Sequence, residues 1–182
     1  MKEFIYPEMI LHVAMCTSKN PQNLLIISDN ADLIAKESLK YSDLTTKAVE
    51  ATLEAVSGLE DASFDVVVCE MDADAILISQ LNRIIKEDGQ LAITHPSLDE
   101  EVEANKTLIS GLAKFFKIVM PYNLGTGETA LLASKEYHPT ADIILQRSDM
   151  LDGNNYYNCD LHVGAFAMGN YIRKEYLGII KN

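Results

Sequence analysis

The stretch DVVVCEMDADAILISQLNRIIK, residues 65–86, decides the fold. Its first five residues, Asp65–Cys69, are β-branched and unalternating, the pattern of a strand buried on both faces of a parallel sheet. Residues 74–86 place Ile76, Leu77, Leu81, Ile84 and Ile85 at helical spacing. Between them stand Glu70, Asp72 and Asp74, three carboxylates within five residues. They follow the carboxyl end of a strand, where open α/β sheets bind their ligands.

Outward from this unit the pattern repeats. Leu24–Ile27 is a second unalternating run. The polar break Ser28-Asp29-Asn30-Ala31-Asp32 follows it, and Asp29 or Asp32 is placed to cap a helix over 32–41. Residues 3–16 predict an entry helix with Ile5, Met9, His12, Val13 and Cys16 near one face. Thr46–Ala51 (TKAVEA) reads equally as a strand or as helix running on to Val56. Glu87-Asp88-Gly89 predicts the end of the helix over 74–86, with glycine just past its last turn. Gln90–Thr94 reads as a strand, and 99–116 as a helix with an acidic start and a basic end. The segments 117–121 and 129–134 form a hairpin through Gly125-Thr126-Gly127. Strands alternating with helices predict an α/β sandwich with a mostly parallel sheet and a C-terminal antiparallel hairpin, as one domain over 1–182. The tyrosine-rich stretch from Asp149 onward reads as an irregular cover over the site.

Composition narrows the function. The chain has 182 residues, 48% hydrophobic, with 15 basic and 27 acidic side chains and a net charge of −12. That balance argues against nucleic acid and anionic membranes and suits small cationic partners. No apolar run approaches the ~18 residues of a membrane span, and MKEFIYPEM holds no signal core. Cys16, Cys69 and Cys159 make no CxxC pair, and the four histidines show no metal-ligand spacing, so neither a disulfide framework nor a metal is expected. A reducing cytoplasm is the expected location. From Asp43 to Asp74 there are nine acids and one base, Lys47. Gathered around one cleft they would attract cations and hold amines. Each also has a plain reading: strand-end acids as solvated loops, Tyr156 and Tyr157 as packing aromatics, His162 as a structural histidine.

The segment Tyr156-Tyr157-Asn158, followed by His162 and Ala165-Phe166, resembles the YYN…H.AAF signature of the spermidine synthases, the polyamine aminopropyltransferases. Further stretches resemble that family in the same order: Glu3–Met9 its DEF.Y.EM segment, Leu81–Gly89 its LK..LKEDG, and Pro121–Lys135 the hairpin that ends in ASK. The resemblance implies a Rossmann-like, S-adenosylmethionine-methyltransferase-type sandwich. It implies aminopropyl transfer from decarboxylated S-adenosylmethionine to putrescine, giving spermidine and methylthioadenosine. The donor would be a co-substrate, with no cofactor permanently bound, and the chain would be a homodimer or larger homo-oligomer.

Carried over residue by residue, the resemblance makes Glu70 the general base and Tyr157 the tyrosine that positions the amine near it. Tyr6, Asp72 and Asp74 would bind the polyamine. Glu50, if TKAVEA is a strand, would take the ribose hydroxyls, with Asp29 or Asp32 on the donor. Three departures stand beside this. The family's GGGDGG loop reads Ser28-Asp29-Asn30-Ala31-Asp32-Leu33, without a glycine. The chain is short between Glu50 and Phe64, where the family has a helix, an edge strand and an adenine-contacting loop. It begins after the place of the family's small N-terminal β-domain. A non-catalytic relative that binds polyamine or nucleoside, or acts as a structural partner, therefore stands as the alternative. A methyltransferase using S-adenosylmethionine itself is a third reading.

Overall fold

A computed structural model describes residues 2–182. The elements run α1 Ile5–Thr17, β1 Asn23–Ile27, α2 Asp32–Ser38, β2 Thr45–Val49, α3 Leu53–Ser57, β3 Phe64–Cys69 and α4 Ala75–Ile84. They continue with β4 Ile85–Thr94, α5 Val102–Leu112, β5 Ile118–Asn123, β6 Thr129–Ser134, α6 Leu145–Asp149, α7 Cys159–Ala165 and α8 Asn170–Glu175. The six strands form one sheet in the order β2-β1-β3-β4-β6-β5. β2, β1, β3 and β4 are parallel, whereas β6 runs antiparallel between β4 and β5. This is the α/β sandwich with a C-terminal hairpin that the residue pattern predicts.

Strand alternation divides the core into two layers. Leu25, Ile27, Val67, Cys69, Leu91 and Ile93 face one way, onto α3, α4 and α5. Leu24, Ile26, Val66, Val68 and Ala92 face the other, onto α1 and residues of the tail. Both faces of β3 are covered, which is why its sequence shows no alternation.

TKAVEA resolves as strand β2, at the sheet edge and half exposed, followed by the five-residue α3. Glu50 thereby stands directly after a strand.

Four expectations are corrected. α1 is buried from Pro7 to Thr17 on all sides rather than along one face. It is covered by the sheet, by α2 and by the tail, so no side is left to be polar. Gly89 does not end a helix. α4 stops at Ile84 and β4 starts at Ile85, and Gly89 lies inside β4 opposite a register shift between Phe64 and Val66. A Cβ on Gly89 would stand 2.5 Å from the Ile85 Cγ2 and 3.0 Å from the Asp65 carbonyl oxygen, so close backbone approach explains this glycine. Neither Asp29 nor Asp32 caps α2: its N-cap is Ala31, with no side-chain hydrogen bond. The tail is not irregular throughout but carries α6, α7 and α8.

The hairpin turn is as read, with Gly125 and Gly127 at φ of 76° and 95°. Among the described residues, no helix is long and apolar enough to cross a membrane.

Candidate active site

The parallel strands end at one edge of the sheet, and there the acids gather. Glu70 follows β3, and its N–H donates to the Ile27 carbonyl of β1 at 2.9 Å. Its carboxylate is held on both oxygens. The Tyr6 hydroxyl at the start of α1 donates to Oε1, and the Ser28 hydroxyl at the end of β1 donates to Oε2. Ser28 Oγ in turn accepts the Asn30 N–H at 2.9 Å, which closes the loop after β1 on itself. No residue in that loop has a left-handed backbone. Burial first, and then the Glu70 carboxylate, push the Tyr6 phenol well above its ordinary pKa. Tyr6 is therefore a fixed proton donor to Glu70.

Asp29 and Glu50 follow the ends of β1 and β2, two neighbouring strands. Asp29 Oδ1 accepts the Ala51 N–H at 3.0 Å, and Glu50 is exposed beside it in sequence. Asp32 is exposed in the first turn of α2. Asp74 is the N-cap of α4, its Oδ1 accepting the Leu77 N–H at 2.8 Å, so one oxygen of that acid serves the helix. Asp72 is exposed and lines a small cleft of about 400 Å³ with Thr94, His95, Pro96 and Glu101.

Tyr157 is 3% exposed in the layer over α1, and its hydroxyl is bonded to His162 Nδ1 at 2.8 Å. His162 Nε2 donates to the Pro139 carbonyl at 3.0 Å, so Nδ1 is the acceptor of the Tyr157 proton. Burial takes the His162 pKa down to about 4, which keeps that ring neutral. Tyr157 lines neither cleft.

The larger cleft, about 580 Å³, opens beside Tyr6 between the end of β4, the β5–β6 turn and the tail. Asp99, Glu128 and Tyr171 line it, with Leu98, Leu124 and Met168 as apolar wall, and no lysine or arginine is among its lining residues. His95 lines both clefts. The Asn105 side-chain amide nitrogen donates to the carbonyls of Pro96, Ser97 and Glu101, so its Oδ1 faces His95 and accepts from Nδ1 at 2.7 Å. His95 Nε2 then accepts the Thr129 hydroxyl at 3.0 Å. Burial lowers the His95 pKa, in keeping with this neutral form.

Residue reading missed Ser28, Glu8, His95, Asp99 and Glu128. Glu8 is fully buried, and its carboxylate accepts the backbone N–H groups of Asn155, Tyr156 and Tyr157 at 2.8–2.9 Å. The entry segment and the tyrosine segment are thus one physical unit. A signal for Glu128 was available in its place, directly after the GTG turn at the same sheet edge. Among the described residues, no cluster of three or more His, Cys, Asp or Glu is arranged to hold a metal.

A mostly parallel α/β sheet with acids gathered at its strand ends, beside clefts lined by no lysine or arginine, is the class that fold and site define. No family model matches the chain. Among curated proteins it is 28% identical to the polyamine aminopropyltransferase of Helicobacter acinonychis (strain Sheeba), over 92% of this chain and 75% of that one. It is 26% identical to that of Clostridium beijerinckii, over 97% of this chain and 79% of the relative. The first alignment spans 200 positions, more than the 182 residues of this chain, so the relative carries segments missing here. Among solved structures, a spermidine synthase in complex with the transition-state analogue AdoDATO superposes with a TM-score of 0.84 at 22% identity, over 98% of this chain and 76% of that one. The spermidine synthase from Thermotoga maritima superposes at 0.75 and 24% identity, with the same coverage. Over most of its length the chain is thus similar to polyamine aminopropyltransferases, and its fold is that of the spermidine synthase structures.

Proposed function

We propose that this chain is a single catalytic domain that transfers the aminopropyl group of decarboxylated S-adenosylmethionine to putrescine. The observation that carries the reading is Glu70. Its carboxylate is fixed by two hydroxyls, has no lysine, arginine or histidine in an ion pair with it among the described residues, and borders a cleft wall through Tyr6.

The chemistry follows. An aliphatic amine has a pKa of about 10, yet only its neutral form attacks. Glu70 takes one proton from the ammonium group, and Tyr6 holds the carboxylate in place while it does so. The amine nitrogen then bonds to the aminopropyl carbon as the carbon–sulfur bond breaks. The bond electrons go to sulfur, leaving a neutral thioether and a protonated secondary amine. The sulfonium is already an activated leaving group, so the protein mainly supplies alignment. Both substrates are cations, and a negative edge raises their local concentration.

Glu50, Asp29 and Asp32, at the ends of β1 and β2, are assigned to the nucleoside side of the donor. Asp72 is assigned to the polyamine, and Asp74 to α4 and the same edge. Tyr157, with its hydroxyl on His162, is assigned to holding the tail against α1 rather than to touching the amine. A cytoplasmic homo-oligomer that binds neither nucleic acid nor membrane belongs to the same reading. Light scattering after gel filtration gives the assembly.

The test is turnover. The chain is incubated with decarboxylated S-adenosylmethionine and putrescine, and methylthioadenosine and spermidine are followed by mass spectrometry. Both products together are expected. A folded chain that forms neither at high concentration overturns the reading in favour of a binding-only relative.

A further inference from the structure

We infer that the Tyr122 hydroxyl, on β5, is the acceptor to which Tyr6 turns its proton once Glu70 has taken one from the amine. Tyr122 is thereby a positioning residue that acts through Tyr6. The inference rests on the amine-transfer reading of Glu70.

Tyr122 lies in the same core layer as α1, and Tyr6 packs against that layer. The side chain is fully buried, its ring set against Phe166 at 5.3 Å between centroids. Its hydroxyl has no hydrogen-bond partner. Buried polar groups are nearly always paired, so an orphan hydroxyl calls for a reason. Burial pushes the Tyr122 phenol well above its ordinary pKa, so the group stays a neutral hydroxyl. It stands near enough to Tyr6 to act on that phenol.

The reason lies in the second half of the proton's path. At rest both oxygens of Glu70 accept a hydroxyl, Tyr6 on Oε1 and Ser28 on Oε2. After transfer the former amine is a secondary ammonium, which only donates. The carboxylic proton of Glu70 then has no acceptor on the product and turns to one of the two hydroxyl oxygens. Ser28 Oγ already accepts the Asn30 N–H at 2.9 Å, so Tyr6 Oη is the freer acceptor. As Tyr6 accepts, its own O–H rotates off Glu70 and onto Tyr122 Oη. No covalent bond changes in this turn. Glu70 keeps the proton it took until the product leaves, and water then takes it. Before the transfer Tyr122 has nothing to accept, in keeping with its orphan hydroxyl.

A double-mutant cycle tests this without turnover. Melting temperatures are measured at neutral pH for wild type, Tyr122→Phe, Glu70→Gln and the double variant. The amide that Glu70→Gln introduces carries N–H donors where the carboxylate only accepts, so it stands in for the protonated acid. In the wild-type background, Tyr122→Phe removes an unpaired buried hydroxyl and should melt no lower. In the Glu70→Gln background the same change should lower the melting temperature by about 2–4 °C, the shift for one hydrogen bond in a chain of this size. An equal effect in the two backgrounds overturns the inference. Turnover of decarboxylated S-adenosylmethionine and putrescine gives the second readout. Tyr122→Phe should lower kcat about tenfold and leave KM for both substrates unchanged. A merely structural role would not slow a variant that melts no lower than wild type. Full kcat in Tyr122→Phe, beside a loss in Glu70→Gln, overturns the inference and leaves the transfer reading standing. A wild type without turnover removes the transfer reading; a coupled melting cycle then still supports the turn of Tyr6 to Tyr122, and an additive one overturns it.

Discussion

One strand carries an aspartate at one end and a glutamate at the other, and the two live in opposite surroundings. At the start of β3, Asp65 pairs with Lys86 at 2.8 Å and accepts the Gln22 and Asn23 N–H groups at 3.0 and 2.8 Å. Burial alone would raise its pKa. The Lys86 hydrogen bond and the two backbone donors outweigh that and hold the carboxyl below its usual range. At the end of β3, Glu70 has two hydroxyl donors and no cation. The first acid is complete within the fold. The second is oriented but has no counter-charge within the fold, as its proposed role toward a cationic amine requires.

Glu8 gives the largest test of this contrast. It is buried without a cation, like a site acid, but three backbone N–H groups satisfy it. If satisfied donors define structural acids, Glu8→Ala should cost about 3–5 kcal/mol, since it strands those donors in the interior. Urea denaturation measures it; a loss below about 1 kcal/mol would break the distinction.

Asp65→Asn sharpens it at the strand's own far end, with an expected loss of about 1–3 kcal/mol. The pH dependence has a definite sign. A depressed folded pKa means that Asp65 contributes its full stability above the unfolded value of about 3.9. The contribution is lost as pH falls through the lower folded value. The stability gap between wild type and Asp65→Asn should therefore close on acidification, and a gap independent of pH down to unfolding contradicts it.

The α4 loop supplies the smallest effects. Asp74→Ala removes an N-cap and should cost about 1 kcal/mol. Asp72→Asn, two residues earlier and exposed, should change stability by less than about 0.5 kcal/mol while weakening putrescine binding. Thermal unfolding and calorimetry separate the two; equal stability losses would mean that both acids are structural.

The residues that were legible share one property: their signal is local. β3 and α4 read correctly because an unalternating run and a helical period sit side by side. The end of α4 did not, because the turn letters Glu87-Asp88-Gly89 lie within a strand that starts immediately at Ile85. Tyr6 and Glu70 were found as separate residues through motif resemblance, and the structure joins them across 64 positions. Ser28 and Glu8 carried no local mark. Their contacts span 42 and up to 149 positions, and only the folded sheet brings the partners together. Tyr157 was legible as part of a motif, and the structure adds what local letters do not show: its N–H is on Glu8 of α1 and its hydroxyl on His162.

The most direct measurement takes both ends of β3 at once: turnover and melting temperature for Glu70→Gln and Asp65→Asn. The account predicts that Glu70→Gln loses at least about 100-fold in turnover, the scale of a general base, while melting within a few degrees of wild type. Asp65→Asn should melt lower and keep its turnover at temperatures where it is folded. Full turnover in Glu70→Gln, or equal destabilisation of both variants without a separate loss of activity, would contradict it.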